Sequence, residues 1–248
     1  MSERKQGWAN VVQHPLWSGM IVAMFSLILG AALLPVAKLI YRAVHPRHVQ
    51  PAYAGWGPPR PVYWCKSPTS CDGADHVVFN SYVNASNYGD ERAFVDAKPA
   101  SITQPGGFAD VLKVSDGETV LVRLYVNNAA WDGRVRPGAG TAHGTRAQVV
   151  VPITRSHVHF VMGYLSAANA RPRVVWDGTT LISNTVTSLR YVFGSGRWLV
   201  RPWKEGIAVP DALMEDGTLI GSDGLTGNFG DSFSDSGLLT FKVRVVGG

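Results

Sequence analysis

Three residues of types that carry out acyl transfer occur far apart in this sequence. His143 lies in a Gly-rich segment, Ser232 follows a Gly-Asp pair, and Asp177 could orient the imidazole while it takes the serine proton. Both segments are incomplete as catalytic motifs, because the glycines around the serine and a cysteine after the histidine are missing. We therefore expect no enzymatic activity, and a serine-type hydrolase is the weakest alternative.

Two other groups of residues could bind a metal ion. Carboxylates on a flexible Gly- and Ser-rich loop suit calcium, although ordinary turns use the same residues and the spacing of an EF-hand is absent. The candidate ligands are Asp216, Asp223, Asp231 and Asp235. His157 and His159 would share one face of a strand, which is typical of a polar face or of two metal ligands. Val158, Phe160 and Met162 are then expected on the buried face. No cofactor is expected, with weak calcium binding left open.

The two cysteines, Cys65 and Cys71, are separated by five residues. No histidine beside them completes a set of four metal ligands, so a disulfide closing a small loop is the favoured interpretation, and two free thiols are the alternative. A disulfide requires an oxidising compartment.

Four tryptophans could fill a core or contact a partner. Trp176 and Trp198 lie within predicted strands and are expected in the core. Trp131 and Trp203 lie in loops beside Gly and Pro, and these two are the candidates for partner contact.

The elements that would position these residues are strands. Val120, Val122, Leu124 and Val126 alternate with other residues, and Leu239, Phe241, Val243 and Val245 repeat that pattern near the end of the chain. Further strand candidates are His76–Val83, Arg92–Ala97, Ala147–Ile153, His157–Leu165, Val174–Trp176, Leu189–Phe193 and Trp198–Val200. About nine short strands with frequent turn signals predict an all-β fold, an antiparallel β-sandwich that is Ig-like or related.

An apolar segment precedes these strands. No charged residue occurs between Leu16 and Ala37, which is long enough for one transmembrane α-helix. A cleaved signal peptide is the alternative, but its apolar region is usually shorter, about 7–15 residues. The sequence thus predicts a tail at 1–15, a membrane helix at 16–42, a Pro-rich linker or stalk at 43–63 and an extracytoplasmic β-sandwich domain at 64–248.

The net charge of +5 comes mainly from the residues around this helix. Beyond residue 50 basic and acidic residues nearly balance, and no recognition motif for nucleic acid is present, so nucleic acid is not an expected partner. Lys38, Arg42 and Arg47 after the helix outnumber Arg4 and Lys5 before it, which slightly favours a cytoplasmic C-terminus. Long domains translocate largely regardless of such charges, and the cysteines favour the outside.

Five segments occur in order along the predicted domain: Tyr125–Ala130, Ala168–Asp177, Leu189–Ser195, Leu219–Leu225 and Leu239–Val243. Together they resemble the signature of a poorly characterised β-sandwich domain of bacterial, notably actinobacterial, surface proteins, over about residues 77–246. The chain departs from that pattern at Phe229–Asp231, where the family has Pro-Gly-Cys. The resemblance implies an extracytoplasmic display or interaction domain without established catalytic residues.

These observations predict a single-pass protein of the bacterial cell membrane. Its extracytoplasmic domain would bind or assemble with other envelope proteins or surface components. The alternative is an accessory subunit of a larger membrane protein complex, with the helix packed through small residues.

Overall fold

The computed structural model describes residues 55–67, 70–86, 88–131, 138–201, 206–231 and 235–248, and these residues form an all-β fold. One short 3-10 helix, Asp211–Met214, is the helical element among them. The first strands are β1 (Trp56–Gly57), β2 (Cys65–Ser67), β3 (Ser70–Cys71), β4 (Val95–Pro99), β5 (Val111–Val114) and β6 (Thr119–Val126). The later strands are β7 (Arg146–Val150), β8 (Ser156–Ser166), β9 (Val174–Tyr191), β10 (Arg197–Val200), β11 (Ile207–Ala208), β12 (Thr218–Leu219) and β13 (Gly237–Gly247).

Eleven of the strands belong to one open sheet, which is antiparallel except where β5 pairs with β9. Its main path runs β11-β10-β13-β9-β8-β7-β12. Off this path, β1 and β5 pair with β9, β6 pairs with β13, and β4 pairs with β6. β2 and β3 form a separate hairpin. β13 is the last strand in chain order, yet it pairs with β6, β9 and β10.

The alternation in β6 and β13 places one apolar row of each strand in the core. Val122 lies opposite Phe241 and Leu124 lies opposite Leu239, and all four side chains are fully buried. Side chains two apart on a strand point to the same face, so the other predicted members of each row follow them inward. The predicted buried faces of both strands are confirmed.

Strands that are not sheet neighbours approach each other across this core at Gly163. A Cβ atom on this residue of β8 would lie 2.5 Å from Leu124 Cδ2 of β6 and 2.8 Å from Val95 Cγ2 of β4. No real Cβ tolerates such distances, so glycine is what permits β8 to come this close. The sheet therefore bends so that two of its parts enclose one core.

Several predicted strand boundaries differ from the observed ones. The candidates Val174–Trp176 and Leu189–Phe193 are the two ends of one continuous strand, β9. His76–Val83 makes isolated bridges and side-chain contacts and is not a strand, although Val77 and Phe79 are buried. β5 was not expected, since its four residues alternate too briefly to stand out.

The end of the predicted linker belongs to the folded domain. Trp56 pairs with Asp177 of β9, and the buried guanidinium of Arg60 donates two hydrogen bonds to the Asn80 carbonyl at 2.9 and 3.2 Å. The Trp56 ring lies 4.4 Å from the guanidinium carbon of Arg92. Residues of the segment assigned to the linker, Trp56 and Arg60, thus make contacts with the strands and loops that follow it.

The predicted tail, membrane helix and first part of the linker lie outside the described residues. Among the residues described, no helix is both long and apolar enough to cross a membrane.

Candidate binding surface

The structure gives His143 and Asp177 different hydrogen-bond partners. His143 is exposed, and its Nδ1 lies 3.2 Å from Asn228 Oδ1. Asp177 is buried, and its Oδ2 accepts a hydrogen bond from the Val95 backbone N–H at 2.6 Å. Ser232 lies outside the described residues. The two described residues thus do not form the imidazole–carboxylate pair of a triad.

The two histidines of β8 do not share a solvent face, because a bulge interrupts the start of the strand. His157 is exposed, whereas His159 is buried with Nε2 at 3.1 Å from Thr187 Oγ1. Burial lowers the pKa of His159. The prediction that this face is polar is wrong, since His159 points to the core and Phe160 points to solvent.

The four candidate calcium ligands have separate surroundings. Asp216 and Asp223 are exposed, and Asp223 accepts a hydrogen bond from the Thr226 hydroxyl. The carboxylates of Asp231 and Asp235 lie against glycine backbone, where an added Cβ would collide with them. Across the described ranges, no three His, Cys, Asp or Glu side chains are grouped as a metal site requires.

Cys65 and Cys71 are joined by a disulfide and are register partners in the β2–β3 hairpin. The Asn84 side chain accepts a hydrogen bond from the Cys65 N–H at 2.7 Å and donates one to the Cys65 carbonyl at 2.8 Å. Both cysteines pack against a small second apolar cluster that includes Tyr82. The disulfide closes the hairpin, and the Asn84 side chain and the apolar cluster attach it to the domain.

The positions of the tryptophans agree only in part with the prediction. Trp198 is fully buried, as predicted, and its indole N–H donates to the Gly221 carbonyl at 2.9 Å. Trp176 lies on an outer face and not in the core. Trp131 is 39% exposed, and Trp64, which the sequence did not single out, is 64% exposed. Trp203 lies outside the described residues.

The polar residues in the family-like segments connect parts of the chain. The Asn127 side chain donates to both carboxylate oxygens of Glu91, at 3.0 and 3.2 Å. Asn128 donates to the Gly140 carbonyl at 2.7 Å, and Asn169 donates to the Thr141 carbonyl at 2.9 Å. Each of these hydrogen bonds links an asparagine to another segment of the chain, so the asparagines stabilise the fold.

Three ionisable side chains, Arg60, Glu91 and Asp177, are buried in the domain. Burial raises the pKa of Glu91 to about 8 and that of Asp177 to about 7. Burial, together with the nearby charge of Arg92, lowers the pKa of Arg60 to about 10.

The outer face of β7, β8 and β9 carries a contiguous apolar surface that we call the apolar face. Its members lie opposite one another in register: Val150 beside Met162, Tyr164 beside Trp176, and Phe160 one row further along β8. Val150 is 43% exposed and Phe160 is 36% exposed, and the other three are half-buried.

The Trp176 ring forms one end of the apolar face. A Cβ atom on Gly57, its register partner in β1, would lie 2.5 Å from Trp176 Cζ2. The indole therefore lies over the glycine backbone of β1. Only glycine at this position lets the large ring extend across two strands.

The apolar face was not expected, because β8 carries large apolar residues on both sides. Val161 and Leu165 point inward, while Phe160, Met162 and Tyr164 point outward. A period-two pattern alone cannot assign the buried side of such a strand. The useful signal is Gly163, since a glycine within a strand marks the side where another backbone or side chain comes close.

Comparison of the chain with family models, with curated proteins and with solved structures finds no match. The resemblance to bacterial surface domains therefore rests on the ordered sequence segments.

Proposed function

We propose that this chain is a single-pass membrane protein whose extracytoplasmic β-sandwich binds another component of the bacterial envelope through the apolar face. The predicted membrane helix supplies the anchor, and the end of the Pro-rich segment packs into the folded domain.

A two-layer sandwich is the arrangement that the core contacts favour. Gly163 of β8 meets Leu124 of β6 and Val95 of β4, although β8 is not paired with either strand. One core cluster includes side chains from both regions of the sheet. Face-to-face packing of two such regions is how antiparallel sheets bury their apolar sides.

The disulfide between Cys65 and Cys71 supports an extracytoplasmic position. Disulfides form and persist in oxidising compartments and are rare where thiols are kept reduced. The membrane helix would then direct its N-terminus inward and the folded domain outward.

The observation that carries the binding proposal is the apolar face. Monomeric proteins seldom leave large contiguous apolar surfaces in water, and those that exist commonly mark interaction sites. Aromatic and Met side chains are also enriched in protein interfaces, and here Phe160, Met162, Tyr164 and Trp176 lie together. We therefore assign the partner as a protein with a complementary apolar surface.

A photo-crosslinking amino acid at Phe160 in the full chain, expressed in its own membrane, tests the proposal. We expect one discrete product containing an envelope protein. Ile102, which is 42% exposed in the β4–β5 loop, is the matched control and should give no such product. Equal products at both positions, or none at Phe160, would contradict the proposal.

A second measurement separates a partner of this face from a complex held by the membrane helix. The Val150→Ser/Phe160→Ser variant should lose the co-purifying protein in mild detergent, whereas Ile102→Ser should retain it. A stoichiometric set of membrane proteins that persists in the double variant would favour the accessory-subunit alternative.

A further inference from the structure

A second surface, on the outer face of β13 and its neighbours, carries unneutralised positive charge. Its members are Arg190 of β9, Arg197 of β10, and Lys242 and Arg244 of β13, and we call them the basic stripe. All four are exposed. The intervening residues Leu239, Phe241, Val243 and Val245 point to the core, so the cations project from one side of the sheet.

The register brings two of these cations directly together. Arg190 is the cross-strand partner of Arg244, and like charges directly opposite on neighbouring strands are destabilising. The Arg244 guanidinium donates to the Thr119 hydroxyl at 3.2 Å and has no carboxylate partner among the described residues. Within the described ranges, no salt bridge offsets this like-charge pair.

Other cations on the same face are held within the fold: Arg123 pairs with a carboxylate, and Lys98 is buried. Arg123 forms two hydrogen bonds to Asp96, at 2.6 and 2.7 Å. The Lys98 ammonium donates to the carbonyls of Gln104 and Gly106, at 2.7 and 3.2 Å. The contrast distinguishes the basic stripe from cations that serve the fold.

Nearby carboxylates do not cancel the stripe. At the β5–β6 turn, Asp116 accepts a hydrogen bond from the Gly247 N–H, and Glu118 accepts one from the Ser115 N–H. Neither forms an ion pair with Arg244 in the described part of the chain. Arg197 donates to the carbonyls of Gly194 and Gly196, which orient its guanidinium without removing its charge.

The stripe is long and narrow. Arg197 lies in the row of Thr240, followed by the rows of Lys242 and Arg244, and same-face residues on a strand are about 7 Å apart. The three rows therefore span about 14 Å along β13. A ligand that contacts all of them must itself be extended.

The β4–β5 loop borders one side of the stripe. Phe108, in the β4–β5 loop, covers the outer face of β6, with its ring 4.0 Å from the guanidinium carbon of Arg123. The preceding residues Ser101–Gly107 are exposed above this face. Phe108 and this exposed loop therefore border the stripe on the side of β6.

We propose that the basic stripe binds a linear polyphosphate chain, whose successive phosphates lie along β13. Each cation would neutralise one phosphate, and long-range attraction would draw the polymer to the face. This site is separate from the apolar face and does not depend on the function proposed above.

The test uses the full chain in phosphatidylcholine nanodiscs, with long-chain inorganic polyphosphate as the probe and a series of NaCl concentrations. The Arg190→Gln/Lys242→Gln/Arg244→Gln variant is expected to bind at least about tenfold more weakly at low salt. Its slope of log affinity against log salt should decrease by about 2, since each lost phosphate contact contributes about 0.7. The matched control, Lys113→Gln/Arg146→Gln/Arg173→Gln, removes the same charge from other exposed positions and should bind within about twofold of the parent.

The melting temperature distinguishes a binding role of Arg190 from a structural role. If Arg190 had a structural role, its replacement would lower the melting temperature. Arg190→Gln alone should keep or slightly raise the melting temperature, because it removes the like-charge pair. A loss of binding equal in both triple variants would overturn the proposal. So would competition by inorganic phosphate at the same phosphate concentration, or stripe-dependent binding to phosphatidylglycerol vesicles without binding to polyphosphate.

Discussion

Glu91 places a carboxyl group inside the domain, where its oxygens accept hydrogen bonds from Asn127 and from the Tyr82 backbone. Burial raises its pKa from 4.5 to about 8, so the folded state holds this proton more tightly than the unfolded state does. The stabilisation from this group is complete below about pH 4.5 and is lost as the pH rises through about 8. Glu91→Gln, which cannot ionise, should be more stable than the parent at about pH 9, and urea unfolding across this range measures the difference.

The control for this prediction is Glu215→Gln, because Glu215 is an exposed carboxylate. Its urea midpoint should follow that of the parent at every pH. Asp177, whose pKa burial raises to about 7, should leave a residual pH dependence of the same sign in the Glu91→Gln variant. An unchanged pH dependence in that variant would show that Glu91 ionises normally in the fold.

The sequence alone predicted the disulfide but not the burial of Glu91. The cysteine pair was visible because two cysteines close in sequence have few other uses. The burial of Glu91 was not, since its surroundings come from Tyr82 and from Asn127, which is 36 residues away. When residues distant in sequence bury an ionisable group, the sequence around that group does not indicate its burial.

Among the elements, β8 depends on the close approach at Gly163. Gly163→Ala would place a methyl group 2.5 Å from Leu124 Cδ2, and we expect a loss of about 1–3 kcal/mol in the free energy of unfolding. Ser166→Ala, on the same strand, should change it by less than about 0.5 kcal/mol. Denaturant unfolding measures both.

A double-mutant cycle identifies the cause. In Gly163→Ala/Leu124→Ala the new methyl group gains space, so the combined loss should be smaller than the sum of the two single losses. Strict additivity would mean that β8 and β6 do not meet at this point.

The strands themselves were predictable to the extent that one face of each is polar. β6 and β13 have strict alternation, and their buried rows followed from it. β8 is apolar on both faces, and its bulge shifts the register of His157 relative to the rest of the strand. β9 looked like two strands because the polar residues near its middle, such as Asn184 and Thr185, are exposed where the chain passes between pairing partners.

For the whole molecule, the position of the domain relative to the membrane is tested by access from outside. Protease added to spheroplasts should cleave between residues 43 and 54 and leave a resistant fragment that contains Trp56. The resistance of residues 55–63 follows from the β1–β9 pairing and the buried Arg60. Gel analysis with an antibody to the domain measures the fragment.

Thiol labelling is the companion measurement. Cys65 and Cys71 should react with a maleimide only after reduction, because they are bonded to each other. Protection of the domain in intact spheroplasts, with both thiols labelled after lysis without reductant, would place the domain in the cytoplasm. That orientation is the one that the excess of basic residues after the helix, Lys38, Arg42 and Arg47, favours.

The central position of β13 has a consequence for how the domain is made. Until this strand arrives, β6 and β9 each lack a neighbour and present unpaired backbone groups to any chain nearby. Synthesis proceeds from the N-terminus, so the sheet cannot close while residues 237–247 are still inside the ribosome. Under the extracytoplasmic location that we propose, a chain translocated before β13 pairs would close its sheet only on the far side of the membrane.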